Sequence, residues 1–307
     1  MLITAIVPFY NEKESLLEAV DRTREAIVQA GCSADILLID NHSTDGSELV
    51  AMQLATSSPD VRHVRFTRNF GPSTEASIEA GLEFADGDAA VIVYSDLQDP
   101  PEYILEMVSL IRDGAEVAYG VRKTRSGDSW FFRLASRSFY AVFSRISDSP
   151  TFGNAGDFMM ISRRVIDEIV ALPETGRFFR GLVPWLGFRA ESFEYHRVAR
   201  KKGKSKTYFS HAFNTALNGF LSFSNAPLRL LLRAGLTIAV LSFLALCTQV
   251  ALWFIGAPVP GLTTIISLGF LNLGLTTFSI SLLGEYIGRL FIEVKKRPVF
   301  VVEAVNG

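Results

Sequence analysis

The side chains of Asp96-Leu97-Gln98-Asp99 follow an apolar run, Ala89 to Val93, and precede Pro100-Pro101-Glu102. A short continuous apolar run reads as a buried strand of parallel type, and in open sheets ligands sit beyond the carboxyl ends of such strands. Asp96 and Gln98 are therefore candidate ligands for a hard cation, Mg²⁺ or Mn²⁺, which oxygen ligands suit and which bridges protein carboxylates to substrate phosphates. Taken alone, the D-x-x-D spacing fits a solvated acidic turn better than a ligand site, since acidic residues are mostly exposed, and the surrounding motifs reverse that balance. Asp157, at the end of Gly153-Asn154-Ala155-Gly156-Asp157 and before the apolar stretch Phe158 to Ile161, is a second carboxylate candidate. Arg197, Arg200, Lys201, Lys202, Lys204 and Lys206 crowd around Gly203 and Ser205, either as a solvated face or as the approach to a membrane.

The elements that must position these groups alternate. Leu2 to Val7, Ala34 to Ile39, Val61 to Phe66, Ala89 to Tyr94 and Glu116 to Tyr119 read as strands. Helical spacing falls between them, over Glu14 to Ala30, Leu49 to Thr56, Ser73 to Ala85 and Glu102 to Arg112. This alternation predicts an α/β fold with a mostly parallel sheet covered on both faces. Trp130 to Ile146 reads as a basic, aromatic helix, either interfacial or an ordinary amphipathic core helix.

Composition bounds the class. A net charge of −2 gives no broad basic surface, so nucleic acid is not an expected partner. The two cysteines, Cys32 and Cys247, lie in unlike segments and fit a reducing compartment. From Ala234 through Gly284 no charged residue occurs, and Leu236 to Ile255 and Leu262 to Gly284 each reach the roughly 20 apolar residues of a membrane span. With Arg and Lys at the outer ends, this predicts a two-helix transmembrane hairpin with both termini cytoplasmic. The start, Met1-Leu2-Ile3-Thr4-Ala5-Ile6-Val7-Pro8, does not read as a signal peptide, so the large domain is expected to stay in the cytoplasm. The division predicted is a cytoplasmic domain at 1–206, a juxtamembrane amphipathic segment at 207–233, two transmembrane helices at 234–290 and a cytoplasmic tail at 291–307.

Five motifs occur in a fixed order: Val7-Pro8-Phe9-Tyr10-Asn11-Glu12, Asp40-Asn41-His42-Ser43-Thr44-Asp45-Gly46, Arg68-Asn69-Phe70-Gly71, Asp96-Leu97-Gln98-Asp99-Pro100-Pro101-Glu102 and Arg200-Lys201-Lys202-Gly203-Lys204-Ser205-Lys206. The set resembles family 2 glycosyltransferases, in the branch of dolichyl-phosphate mannose synthase and the bactoprenol glucosyltransferases. The resemblance implies an A-type glycosyltransferase fold, Rossmann-like, in a multi-pass protein of the cell (inner) membrane. The implied activity is inverting transfer of a sugar from a nucleotide-diphosphate sugar to a polyprenyl phosphate, undecaprenyl or dolichyl. It implies that Pro8, Tyr10, Glu12 and Asp40, with Asn41, Arg68 and Tyr94, lie on the nucleotide side, and that Asp96 and Gln98 meet the metal and diphosphate. Arg122, Arg133 or Arg137, Arg200, Ser205 and Lys206 match positions that gather phosphates, and Asp157 would orient either acceptor or sugar. It leaves a homo-oligomer open.

This chain departs from the pattern at Tyr94, where the family usually has an aspartate, at Asn41, where an acidic residue is usual, and at Met159, where arginine is common. A lost carboxylate lowers the charge available to a cation. An acceptor phosphate monoester, with a second pKa near 6, is already ionised at neutral pH, so the chemistry asks for positioning and charge rather than a general base. Two other readings compete. A polysaccharide-extending synthase lacks its Gln/Arg-x-x-Arg-Trp motif here, and a catalytically silent membrane adaptor has Tyr94 as its support.

Overall fold

The computed structural model describes residues 1–71, 74–122, 155–174, 177–198 and 261–307, with parts of 231–255. The chain divides into two compact units, one of Met1–Arg145, Ser149–Ala212 and Arg297–Gly307, the other of Ile146–Asp148 and Phe213–Lys296.

The first unit is built on an eight-stranded sheet. Its strands are β1 (Leu2–Phe9), β2 (Ser33–Asp40), β3 (Val61–Phe66), β4 (Ala89–Ile92), β5 (Val117–Arg122), β6 (Ala155–Ser162), β7 (Ala190–Tyr195) and β8 (Val302–Asn306), in spatial order β7-β5-β6-β4-β1-β2-β3-β8. The pairs β1–β2, β1–β4, β2–β3 and β5–β7 are parallel. The pairs β3–β8, β4–β6 and β5–β6 are antiparallel, so the expected parallel sheet is parallel at its centre and mixed beyond it. The central strands have no side that meets water: Ile3 to Phe9 and Ala89 to Ile92 are buried throughout. That is why they read as unbroken apolar runs.

Helices cover the sheet where their apolar faces allow. In α1 (Leu16–Gln29) the buried residues Leu16, Ala19, Val20, Thr23, Ala26 and Ile27 recur at the three- and four-residue spacing of one helical face. Then come α2 (Ser47–Ser57), α3 (Glu75–Glu83), a 3₁₀ turn at Pro101–Tyr103 running into α4 (Ile104–Arg112), α5 (Arg163–Ala171) and α6 (Phe179–Trp185). Ser162 caps α5, its hydroxyl accepting from the Val165 amide.

In the second unit, α7 (Leu262–Lys295) is one continuous helix of 34 residues. Thr276, Thr277 and Ser279 turn their hydroxyls back to backbone carbonyls four residues earlier. The helix also runs on past Gly284 through Glu285, Glu293 and Lys295, with Asn272 in its middle. Among the described residues no helix is long and apolar enough to cross a membrane. The predicted transmembrane hairpin over 234–290, and with it the multi-pass location in a cell membrane with a cytoplasmic catalytic domain, is corrected accordingly. Trp130 to Ile146 and the amphipathic segment at 207–233 lie outside the described residues, apart from Leu231 and Arg233.

Candidate active site at the carboxyl ends of the central strands

The sequence runs from β1 outward to β2 and β3, then crosses back so that β4 lies on the other side of β1. Beyond the carboxyl ends of β1 and β4 the chain therefore parts in two directions, the place where open sheets of this kind hold ligands. Three non-glycine residues adopt left-handed backbone just past these strand ends: Asn11 (φ 56°) after β1, His42 (φ 64°) after β2 and Leu97 (φ 54°) after β4. Such conformations cost about 1–3 kcal/mol each, and they gather at functional sites.

Side chains hold these turns. Asn11 accepts from the Thr44 amide at 2.8 Å, and its own amide donates to Ser43 Oγ at 3.0 Å. The Glu12 amide donates to Ser47 Oγ at 3.0 Å, joining the β1 and β2 turns. Asp40 is fully buried; its Oδ1 accepts from the Ser43 amide at 2.8 Å, while Oδ2 has no hydrogen-bond partner. Pro8 is buried at the end of β1, with its carbonyl 3.5 Å from Ser95 Oγ, and Tyr10 and Glu12 are partly exposed beyond it. His42 puts Nδ1 3.1 Å from the Phe66 carbonyl.

Asn41 is turned toward the loop that follows β3. Its Nδ2 donates to the Gly71 carbonyl at 3.1 Å and its Oδ1 accepts from the Phe70 amide at 2.9 Å, so it clamps the loop Asn69–Gly71. A carboxylate could make only the second bond, which gives the departure from an acidic residue a physical reason. In the same loop the Arg68 guanidinium lies 4.2 Å from the centre of the Phe70 ring.

After β4 the predicted metal residues alternate in burial. Asp96 and Gln98 are half-buried, whereas Leu97 and Asp99 are buried. Asp96 Oδ1 accepts from the Gln98 amide at 3.1 Å. Among the described residues no three His, Cys, Asp or Glu side chains come together to hold a metal. Asp96 and Gln98 still fit a cation of the Mg²⁺ type, which takes one or two carboxylates and completes its shell with substrate phosphates and water.

Asp99, 1 % exposed, faces a basic cluster instead. Tyr195 Oη donates to Asp99 Oδ1 at 2.7 Å, Arg197 Nε lies 3.3 Å from that oxygen, and Arg122 Nη2 lies 4.0 Å from Oδ2. Arg122 Nε also donates to Tyr195 Oη at 3.0 Å. Burial, then the Asp99 charge, push the Tyr195 phenol up to about 12, so it remains a proton donor. Room for its ring comes from Gly120 in β5: a Cβ there would sit 2.7 Å from Tyr195 Cε1. The Val198 amide donates to the Gln98 carbonyl at 2.9 Å, so the chain entering the basic segment is bonded to the Asp96–Asp99 turn. Arg200, Ser205, Lys206, Arg133 and Arg137 lie outside the described residues.

Tyr94, the first departure, has its hydroxyl 2.9 Å from Asp157 Oδ2 and 3.2 Å from Thr74 Oγ1. Burial and then the Asp157 charge raise the phenol well above its ordinary value, so it is neutral. Asp157 is gripped by Arg180, Nε to Oδ1 at 2.7 Å and Nη2 to Oδ2 at 2.6 Å. Burial disfavours the Asp157 charge, but the Arg180 hydrogen bonds and charge outweigh it and hold the carboxyl below its ordinary range. Met159 is buried at 1 %, and the cation bonded to Asp157 comes from α6. Arg180 and Tyr195 went unrecognised in the sequence; the arginines at i and i+3 in Arg177-Phe178-Phe179-Arg180 were the available signal.

Sequence comparison relates the chain to known proteins along its whole length. The profile described as Glycosyl transferase family 2 matches residues 4–170. The bactoprenol glucosyl transferase of Shigella phage SfII is 36% identical over 310 residues, covering 99% of this chain and 98% of that protein. The prophage bactoprenol glucosyl transferase homolog of Escherichia coli (strain K12) is 35% identical over 308 residues, covering 100% of both. A Bacillus subtilis (strain 168) glycosyltransferase, YkcC, is 34% identical over 303 residues, covering 98% of this chain and 93% of that one.

Proposed function

Since this chain belongs to glycosyl transferase family 2, we propose that it moves a sugar from a nucleotide-diphosphate sugar to a polyprenyl phosphate, with inversion at the anomeric carbon. One observation carries the reading. The Asp96–Asp99 turn stands where the chain parts between β1 and β4, with Arg122 and Arg197 around Asp99 and the Val198 amide bonded to Gln98. Cations are thus gathered beside a turn that offers oxygen ligands, which suits a reaction between two phosphate-bearing substrates. The full-length similarity to a bactoprenol glucosyl transferase and to a homolog of one supports a lipid acceptor.

The chemistry follows from charge. The acceptor phosphate is ionised at neutral pH and attacks without a general base. This chain's residues hold two anions together and stabilise the leaving diphosphate. Asp96 and the Gln98 amide oxygen would hold a divalent cation, Mg²⁺ or Mn²⁺, which lends charge to that leaving group. Arg122 and the basic stretch with Arg200, Ser205 and Lys206 are assigned to phosphates, and Pro8, Tyr10, Glu12, Asp40 and Arg68 to the nucleotide side. Asp157, committed to Arg180, serves as a fixed anion.

The test is incorporation of radiolabel from nucleotide sugars into extractable lipid, with undecaprenyl and dolichyl phosphates as acceptors. Labelled lipid at wild-type turnover is expected. Tight donor binding with no transfer to either lipid would support a silent adaptor, and label in a growing polysaccharide would support a synthase.

A further inference from the structure

The hydrogen-bonded chain around Asp157 has a direction that proton counting fixes. The neutral Tyr94 phenol has a single proton and Asp157 accepts it, so the Thr74 hydroxyl must donate to the Tyr94 oxygen. Arg180 closes the chain from the other side, with two parallel bonds to the same carboxylate. A carboxylate offers about four acceptor positions, and three are taken here. The order is Thr74 to Tyr94 to Asp157, with Arg180 as the counter-charge.

The parts come from separate places in the fold. Tyr94 follows β4, Asp157 lies in β6, Thr74 precedes α3 and Arg180 lies in the first turn of α6. The Asp157 side chain is 13 % exposed and that of Arg180 is 42 % exposed. Without the guanidinium, the nearly buried carboxylate would keep the Tyr94 hydroxyl as its one hydrogen-bond donor among the described residues, with Arg122 as a more distant charge, and it would reorient toward water or take up a proton. Tyr94 would then lose the acceptor that fixes its ring, two residues before Asp96.

We infer that Arg180 is a positioning residue of the transfer site: by locking Asp157 it locks the Tyr94 phenol at the carboxyl end of β4 and so sets the backbone that presents Asp96. The inference rests on the proposed transfer reaction and deepens it. A bidentate guanidinium–carboxylate pair is directional, and lysine preserves the charge without the fork.

The experiment compares wild type with Arg180→Met, Arg180→Lys, Tyr94→Phe and the Arg180→Met, Tyr94→Phe double variant. Release of nucleoside diphosphate is followed with polyprenyl phosphate and, separately, with water as the slow acceptor, alongside thermal melting. For Arg180→Met, kcat is expected to fall tenfold or more with KM for the nucleotide sugar within about twofold. Arg180→Lys should recover part of that loss, and Tyr94→Phe should add little once Arg180 is gone. Unchanged kcat in Arg180→Met overturns the inference, as do independent, multiplicative effects of the two substitutions. A change confined to KM also overturns it, because Arg180 would then bind substrate directly. So does a fall in melting temperature that accounts for the lost rate and that lysine does not reverse. Should wild type release diphosphate only to water, the lipid acceptor is wrong, and the variants' hydrolysis rates still decide the role of Arg180.

Discussion

Asp96 and Asp99 are three residues apart and have different work, which separate measurements distinguish. Asp96 is half-buried and accepts from the Gln98 amide, so Asp96→Asn is expected to abolish transfer while leaving thermal stability close to wild type. Asp99 is buried against Tyr195, Arg197 and Arg122. Its amide would still accept from Tyr195 but would no longer offset two guanidinium groups, so Asp99→Asn should lose about 1–3 kcal/mol of stability and less activity than Asp96→Asn. Equal losses of activity with unchanged melting would contradict this division. Asn41 gives a third case. Asn41→Asp replaces the donor to Gly71 by an oxygen facing that carbonyl, so it should loosen the loop Asn69–Gly71 and weaken nucleotide binding even though it restores the family's acidic residue. Calorimetry with the nucleoside diphosphate checks this, and tighter binding would contradict it.

At the scale of elements, α3 is tied to the segment before α6 by a buried ion pair, Arg177 to Glu79 at 3.2 Å with both side chains 6 % exposed. Burial raises the Glu79 carboxyl from 4.5 to about 6 against the pull of Arg177. The folded state therefore holds this proton more tightly than the unfolded chain. Its contribution to stability is full below about pH 4.5 and is lost as pH rises through about 6. Above that pH the charged Glu79 depends on Arg177, so Arg177→Met should cost about 3–5 kcal/mol at pH 8 and clearly less at pH 5. Urea denaturation at the two pH values measures it, and an equal loss at both would mean that packing, not charge, is at stake. The strands and helices up to Tyr119 were legible because each signal is local: apolar runs for strands buried on both faces, three- and four-residue spacing for helices. What the sequence concealed depends on distant partners. Arg180 belongs to the site only because α6 sets it against Asp157 in β6, and Asp99 turns inward only because Gly120 leaves space for the Tyr195 ring. The charge-free run from Ala234 to Gly284 misled in the opposite way, since it showed where charges are missing and not where polar groups punctuate the helix.

At the scale of the whole molecule, the chain leaves the first unit after Ala212 and returns to it at Arg297. The stretch expected as a tail thereby supplies an edge of the sheet. Val302–Asn306 pairs antiparallel with β3, the Thr67 amide donates to the Val301 carbonyl at 3.0 Å, and Glu303 lies 3.0 Å from Arg65. Just before the strand, Phe300 stacks on Phe66 with ring centres 5.2 Å apart, Phe66 meets Phe70 edge to face at 5.7 Å, and Arg68 lies over Phe70. This row of rings runs from the returning chain to the loop assigned to the nucleotide. Ending the chain after Arg297 would remove β8 and Phe300 together, baring the β3 edge and freeing one face of Phe66. The truncated protein is expected to melt several degrees lower and to show a KM for the nucleotide sugar raised severalfold. Phe300→Ala separates the two causes, because it keeps the strand and removes the ring. If the aromatic row positions Arg68, this single change should reproduce most of the KM effect with a smaller loss of stability, of about 1–3 kcal/mol for a half-buried ring. A truncated protein that melts and binds its nucleotide sugar like the full chain would show that β8 merely covers the edge.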